Sequence, residues 1–267
     1  MRSFFQLFFF GVLLCLSPRV QAQDRGERPW RLDLSLTGNV FWGSFTQVQG
    51  IGRVFVSYSG ARAGNDFVAT GYQLWMQSVP ATPFARIGDE ILVSDVPFYY
   101  VHPKVYVHGV ARFANSFSHL LTARVNAGGG VGVTPVRTET VLFRASLGAQ
   151  FEVAYFGSDT FNLDVAHDGP LRMVPRLALL SNGWYRVKDT PVSLRYLGEV
   201  TVNPLDIKDN RQFLDAGLDF KLGPSGWSAR LTSLWTRNSV VPEGIKPAEL
   251  RVGVGIAYST PKAQVAP

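Results

Sequence analysis

The sequence predicts an all-β protein: a transmembrane antiparallel up-and-down β-barrel of 10–12 strands, with 12 favoured. Three observations predict this fold. Apolar and polar residues alternate over long stretches, many stretches reach 10 to 16 residues, and only 17% of the chain is charged. Strands of soluble proteins usually have about 5 or 6 residues, whereas a membrane strand needs about 9–11. Soluble domains also carry more charge, about 25%.

The alternation is clearest in residues 213–222, where Leu, Ala, Leu, Phe and Leu occupy the even positions. The odd positions hold Phe, Asp, Gly, Asp and Lys. Because a strand places successive side chains on opposite faces, one face is apolar and the other is mostly polar or small. A barrel in a membrane requires this division between a lipid-facing and a lumen-facing side.

Eleven segments show this alternation and are candidate strands. They are residues 31–42, 47–58, 67–77, 104–114, 119–133, 141–155, 171–186, 192–202, 213–222, 227–237 and 250–258. Single-chain barrels have an even number of strands. We therefore expect a twelfth strand within 85–100 or 157–170. Polar or Pro- and Gly-bearing composition predicts loops, with 223–226 as a tight periplasmic turn. The longer predicted loops are 59–66, 79–98, 157–170, 203–211 and 238–247.

Residues 1–22 have the features of a cleaved signal peptide, which predicts export; together with the strand pattern it predicts location in a bacterial outer membrane. Arg2 precedes an apolar run from Phe4 to Leu16, and Val20-Gln21-Ala22 forms a cleavage site before Gln23. The run of about 13 residues is shorter than the roughly 20 of a spanning helix. We assign the barrel to 23–259 and a disordered tail to 260–267. The single cysteine lies in the leader, so no disulfide is expected.

The polar faces of the candidate strands carry charges that a barrel would direct into its lumen. A charge facing lipid at mid-membrane costs about 2–4 kcal/mol. The candidate lumen-lining residues are Arg53, Arg112, Arg124, Arg144, Glu152, Arg195, Glu199, Asp215, Asp219, Lys221, Arg230 and Arg251. Two interpretations stay open. The charges form a structural ion-pair network that fills a narrow lumen, or an arginine-rich lumen favours small anionic solutes.

Catalysis is not expected. Ser116, Ser118 and His119 are close in sequence, but a strand would place Ser118 and His119 on opposite faces. The predicted loop 157–170 contains Asp164, His167 and Asp168. Polar loops often contain such a group, so it does not by itself indicate catalysis. No His, Asp or Glu spacing requires a metal, and no cofactor is expected. The glycine-rich segment 128–132 lies in a strand pattern without the Lys-Ser/Thr of a phosphate loop.

Charge and hydropathy also define the expected partners. The formal charge of +6 includes Arg2 and Arg19 of the leader, which leaves +4 for the mature chain. Its basic residues are scattered singly, so nucleic acid is not expected. We expect a monomer in contact with outer-membrane lipid, lipopolysaccharide and the outer-membrane assembly machinery. A secreted or periplasmic lipid-binding barrel, with its apolar faces inward, is the alternative. An outer-membrane lipid hydrolase is a third hypothesis.

Aromatic residues near strand ends predict the girdles that mark membrane interfaces. They are Trp30, Phe41, Trp42, Tyr99, Tyr100, Phe156, Trp184, Tyr185, Trp227, Trp235 and Tyr258.

Several short motifs, spread over roughly 30–259, resemble the YdiY-like family of salt-induced outer-membrane proteins. They are Thr37-Gly38-Asn39, the segment 113–124 (FANSFSHLLTAR), the glycines of 128–132, a strand centred on Gly148, and Asp215-Ala216-Gly217-Leu218. The resemblance implies an outer-membrane β-barrel with no established enzyme activity.

Overall fold

The structure is a computed structural model that describes residues 30–42, 46–60, 62–77, 83–138, 140–158, 160–162 and 169–260. The predicted signal peptide lies outside this part, as do Asp164, His167, Asp168 and all of the predicted tail beyond residue 260. None of the described residues forms a helix long and apolar enough to cross a membrane.

Twelve antiparallel strands form a closed barrel in which each strand pairs with its neighbours in sequence and β1 pairs with β12. The strands are β1 Trp30–Trp42, β2 Thr46–Ser59, β3 Ala63–Gln77, β4 Ala85–His102, β5 Val105–Ser116, β6 Leu121–Arg137, β7 Val141–Phe156, β8 Leu171–Arg186, β9 Val192–Asn203, β10 Asp206–Lys221, β11 Trp227–Asn238 and β12 Ala248–Ser259. The predicted up-and-down barrel and the favoured strand number are confirmed.

Strand β4 is the predicted twelfth strand, in the first of the two expected places. The apolar run 91–93 and Pro97 break its alternation, which is why its sequence also fits a loop. The predicted loop 79–98 is therefore wrong over most of its length. The predicted loop 203–211 is also wrong, because β10 begins at Asp206 and is polar on both faces there. The loop 59–66 is shorter than predicted, since β3 begins at Ala63.

The two faces of the barrel differ sharply in polarity. On β7, Leu147 is 64% exposed on the outer face, whereas Glu152 on the inner face is fully buried. The other strands repeat this arrangement, so large apolar side chains cover the outside and charged side chains fill the inside. A lipid-binding barrel would need the opposite arrangement, and that alternative is wrong for this fold.

The barrel has a terminal end, where β1 begins and β12 ends, and an opposite loop end. The connection 223–226 is a tight turn at the terminal end, as predicted. Exposed outer-face aromatics at this end are Trp30, Tyr99, Tyr185 and Trp227, consistent with a girdle. Tyr100 and Phe156 do not belong to a girdle, because both are buried inside the barrel. The side chains of Phe41 and Trp42 lie outside the described part.

The glycine-rich segment of β6 makes room for aromatic rings inside the barrel. A Cβ atom on Gly132 would lie 2.2 Å from the ring of Tyr106, and one on Gly130 would lie 2.9 Å from Nε2 of His108. Because the rings of β5 lie over these positions, and the backbone oxygen of Leu147 would lie 2.3 Å from a Cβ atom on Gly130, only glycine fits without a shift. The segment therefore has the structural role predicted for it.

Candidate functional site: an arginine-rich lumen

A cavity of about 170 Å³ extends from the middle of the barrel to the loop end. Strands β1–β6 and β9–β12 line it, while side chains of β7 and β8 fill the rest of the lumen at that level. The charged side chains that line the cavity are Arg53, Glu90, Arg112, Arg124, Arg195, Glu199, Arg211, Asp215 and Arg251. Six arginines against three carboxylates make the cavity wall positive.

The sequence-predicted residues occupy three kinds of position. Those that line the cavity are Arg53, Arg112, Arg124, Arg195, Glu199, Asp215 and Arg251. Glu152 is buried in an ion-pair cluster beside the cavity, and Asp219 and Arg230 are buried in another cluster at the terminal end. Arg144 is buried in the terminal half, and Lys221 is exposed at the end of β10, outside the cavity.

The terminal half of the lumen is closed by an aromatic cluster, which consists of Phe98, Tyr100 and Tyr106. Their ring centroids lie 5.6–6.1 Å apart. The guanidinium of Arg144 stacks 4.5 Å from the centroid of Phe98 and pairs with Asp66 at 2.9 Å. Aromatic pairs and cation–π contacts of this kind hold the rings in place.

A second closure at the terminal end is the Arg230 cluster. Nη1 and Nη2 of Arg230 donate to the carboxylate of Asp33 at 2.7 and 2.9 Å. Nε and Nη2 of the same guanidinium donate to Asp219 at 2.5 and 2.9 Å. One arginine therefore ties β1, β10 and β11 together with two bidentate contacts, the strongest geometry for such pairs.

At the loop end, four arginines surround two carboxylates and form the Glu152 cluster. Glu152 accepts from Arg211 and from Arg176, which lies 3.3 Å away, and Arg124 is 3.8 Å from it. Asp209 pairs with Arg172 at 3.1 Å and with Arg176 at 2.9 Å. The cluster thus joins β6, β7, β8 and β10 across the lumen.

Smaller ion pairs complete the lumen wall. Asp215 pairs with Arg53 and lies 3.5 Å from Arg195. Arg112 pairs with Glu199, which also accepts from Gln150 at 3.1 Å.

On the opposite wall, Arg251 lies 2.8 Å from Glu90 and 2.6 Å from Glu249, and it stacks 3.8 Å from the ring centroid of Tyr72. Most charges in the lumen therefore have an opposite charge beside them.

Sequence reasoning missed several members of these clusters. They are Asp33, Asp66, Glu90, Arg172, Arg176, Asp209, Arg211 and Glu249. Some of them carried a usable signal. Arg172 and Arg176 are four residues apart on one candidate strand and therefore share a face. Asp209 carried no signal, because it lies in the polar stretch that fits a loop equally well.

The structure corrects the expected arrangement of Ser116 and His119. Residues 117–120 form a turn rather than the start of a strand, so His119 folds back over Ser116. The Oγ atom of Ser116 is 2.9 Å from Nδ1 of His119, and Oγ of Ser118 is 3.4 Å from it. Burial lowers the pKa of His119 below its usual value, so the ring is neutral at pH 7. Both Ser116 and His119 line the cavity.

Solved structures with a similar chain trace include a porin, an autotransporter translocator domain and an outer membrane protease. The NanC porin is 10% identical and matches 85% of this chain and 98% of its own, with a TM-score of 0.48. The translocator domain of the autotransporter NalP from Neisseria meningitidis is 12% identical, with 96% coverage of both chains and a TM-score of 0.42. The outer membrane protease OmpT from Escherichia coli is 10% identical, covers 90% and 100%, and has a TM-score of 0.28.

No curated protein matches the chain in sequence. A family model does match, over residues 92–260, and its description is "Protein of unknown function, DUF481". The match runs from the middle of β4 to the end of β12 and covers more than half of the chain. The chain therefore belongs to the DUF481 family of proteins of unknown function.

Proposed function

We propose that the protein is an outer-membrane β-barrel whose narrow lumen admits small solutes, with a preference for anions. The observation that carries the membrane location is the apolar outer face of a closed barrel that encloses its charges. Large exposed apolar surfaces mark contact with lipid or protein, and a closed barrel leaves no strand edge unpaired. The anion preference is supported by the excess of arginine on the cavity wall.

Passage through the lumen would require a change in its terminal half. The cavity ends near the middle of the barrel, and the aromatic cluster and the Arg230 cluster fill the space beyond it. We propose that solutes enter from the loop end and that the terminal half opens only transiently. The expected conductance is therefore small. A purely structural barrel is the second candidate, and the extensive pairing of lumen charges favours it.

Planar-bilayer recording separates the two candidates. We expect the refolded protein to give small currents whose reversal potential in a salt gradient shows anion selectivity. Replacement of Arg195 by glutamine removes one positive charge from the cavity wall, so the selectivity should fall. An Arg86→Gln variant is the control, since Arg86 is exposed outside the lumen. No current from the unmodified protein would overturn the permeation role.

The membrane location itself can be tested by placing a charge on the outer face. We expect Leu147→Arg to lower the free energy of unfolding in lipid vesicles by about 2–4 kcal/mol, the cost of arginine at mid-membrane. Leu205→Arg is the matched control, because Leu205 is 83% exposed in the turn between β9 and β10. Urea titration followed by tryptophan fluorescence measures both. Equal effects at the two positions would contradict a membrane-embedded outer face.

The partners follow from this location. We propose contact with outer-membrane lipid and, at the loop end, with lipopolysaccharide, whose phosphates suit exposed basic residues such as Arg86 and Lys208. Insertion by the outer-membrane assembly machinery and a monomeric state are part of the same proposal. A role as a hydrolase is not part of it. In a serine hydrolase a third group orients the histidine base. None of the described residues hydrogen-bonds to Nε2 of His119, so we assign Ser116 and His119 to the lumen wall.

A further inference from the structure

The Glu152 cluster is not electrically balanced. Arg124, Arg172, Arg176 and Arg211 bring four positive charges to the two carboxylates of Glu152 and Asp209. Uncompensated charges are costly in a buried site, because little water is present to solvate them. The arrangement therefore favours an additional negative charge close to these arginines.

The excess positive charge lies beside the cavity. Arg172 and Arg176 are completely buried between β8 and β10, with Asp209 beside both of them. Arg124 and Arg211, in contrast, line the cavity. Arg211 directs two donors at Glu152, whereas the closest carboxylate contact of Arg124 is from Nε at 3.8 Å. Neither Nη atom of Arg124 makes a hydrogen bond within the described part of the chain.

Neutral polar groups and one acid adjoin the same part of the cavity. The hydroxyl of Ser116 and the side chain of Asn126 both line the wall next to Arg124. Glu90 also lines the cavity, but Arg251 lies 2.8 Å from it and stands between it and Glu249. The cavity therefore has a positive wall at β6 and β10, whereas on β4 and β12 the two acids Glu90 and Glu249 share the single cation of Arg251.

We propose that Arg124 and Arg211 form a binding site for a small, doubly charged oxyanion of the phosphate class. Two unbalanced arginine charges match a dianion, and the free Nη atoms of Arg124 supply donors for its oxygens. Charge-assisted hydrogen bonds of this kind are about twice as strong as neutral ones. This inference rests on the proposed entry of anions into the same lumen, and it names the anion and the site.

The test measures binding of inorganic phosphate to the refolded full-length protein in a maltoside detergent, which contains no phosphate. Titration calorimetry gives the Kd, and the unfolding temperature is compared in phosphate and in chloride at equal ionic strength. We expect phosphate to bind and to raise the unfolding temperature above its value in chloride. An equal effect of the two anions would overturn the proposal.

The variant Arg124→Gln locates the site. Because Arg124 makes the longest carboxylate contact in the cluster, its removal leaves the other ion pairs in place and the barrel folded. We expect it to weaken phosphate binding about tenfold or more, as expected for loss of a hydrogen bond to a charged group. Arg124→Lys, which keeps the charge, should restore part of the affinity. Arg31→Gln is the control, because Arg31 lies at the terminal end outside the cavity, and it should leave the Kd unchanged.

Other outcomes are equally decisive. An unchanged Kd in Arg124→Gln would overturn the site, and so would stabilisation by phosphate-bearing lipid without any effect of free phosphate. Phosphate binding that depends on Arg124 in a protein without conductance would support the site and reject permeation. Anion-selective currents without phosphate binding would reject the site and leave the proposed function standing.

Discussion

Replacement of Glu152 by glutamine is expected to lower the free energy of unfolding by about 3–5 kcal/mol, the usual cost of breaking a buried ion pair from one side. Glu152 is fully buried and contacts Arg176, Arg211 and Arg124. Without its charge, four arginines would share only Asp209. Glutamine has nearly the same volume as glutamate, so the loss of stability measures the effect of the missing charge and not that of a cavity.

Reversible urea unfolding in detergent micelles, followed by tryptophan fluorescence, measures this effect. Glu249→Gln is the matched control. The side chain of Glu249 is 31% exposed, and Arg251 keeps Glu90 as a second partner. Ion pairs open to solvent contribute about 0–1 kcal/mol, so this variant should unfold close to the unmodified protein. Similar losses in the two variants would show that the Glu152 cluster is not a buried network.

Replacement of Arg230 by leucine is expected to have an effect of similar size, about 3–5 kcal/mol. The guanidinium is fully buried and makes bidentate contacts with Asp33 and Asp219. Leucine would leave two neighbouring carboxylates without a cation in the closed end of the barrel. Repulsion between Asp33 and Asp219 would weaken the pairing of β1 with β12, which closes the barrel, and the pairing of β10 with β11.

A compensating variant separates the charge effect from lost packing. Combining Arg230→Leu with Asp33→Asn and Asp219→Asn removes all three charges, and replacing a whole buried ion-pair cluster by neutral groups is often nearly neutral. We therefore expect the triple variant to recover most of the stability. Arg31→Leu is the control, because Arg31 is 46% exposed and 3.7 Å from Asp33. A triple variant no more stable than the single one would assign the loss to packing.

The sequence by itself determined the strands and their two faces. Alternation with a period of two is a local property, and in residues 141–155 and 213–222 it separates apolar from charged positions without any knowledge of neighbours. Strand length then favoured a membrane barrel over a soluble β-protein, and the even-number rule called for a twelfth strand within 85–100 or 157–170. The direction of the charged faces followed from the cost of a charge in lipid.

Where the alternation failed, sequence reasoning failed with it. Strand β4 contains Pro97 and an apolar run, and the first residues of β10 are polar on both sides, so neither stretch shows the pattern. The sequence pattern predicts a strand over 119–133, which includes His119, whereas β6 begins at Leu121. The turn that brings His119 to Ser116 depends on where β5 ends and β6 begins, which is decided by their pairing.

The tertiary structure alone decided which charges meet. Glu152 and Arg211 are distant in sequence, and so are Asp33 and Arg230. Their contact depends on barrel closure and on the register of every strand between them. A one-residue slip in register would turn each inward side chain outward. The sequence thus defined a barrel with an arginine-rich interior. Only the assembled barrel shows that Arg124 and Arg211 line a cavity, and that their cluster has four arginines but only two carboxylates, Glu152 and Asp209.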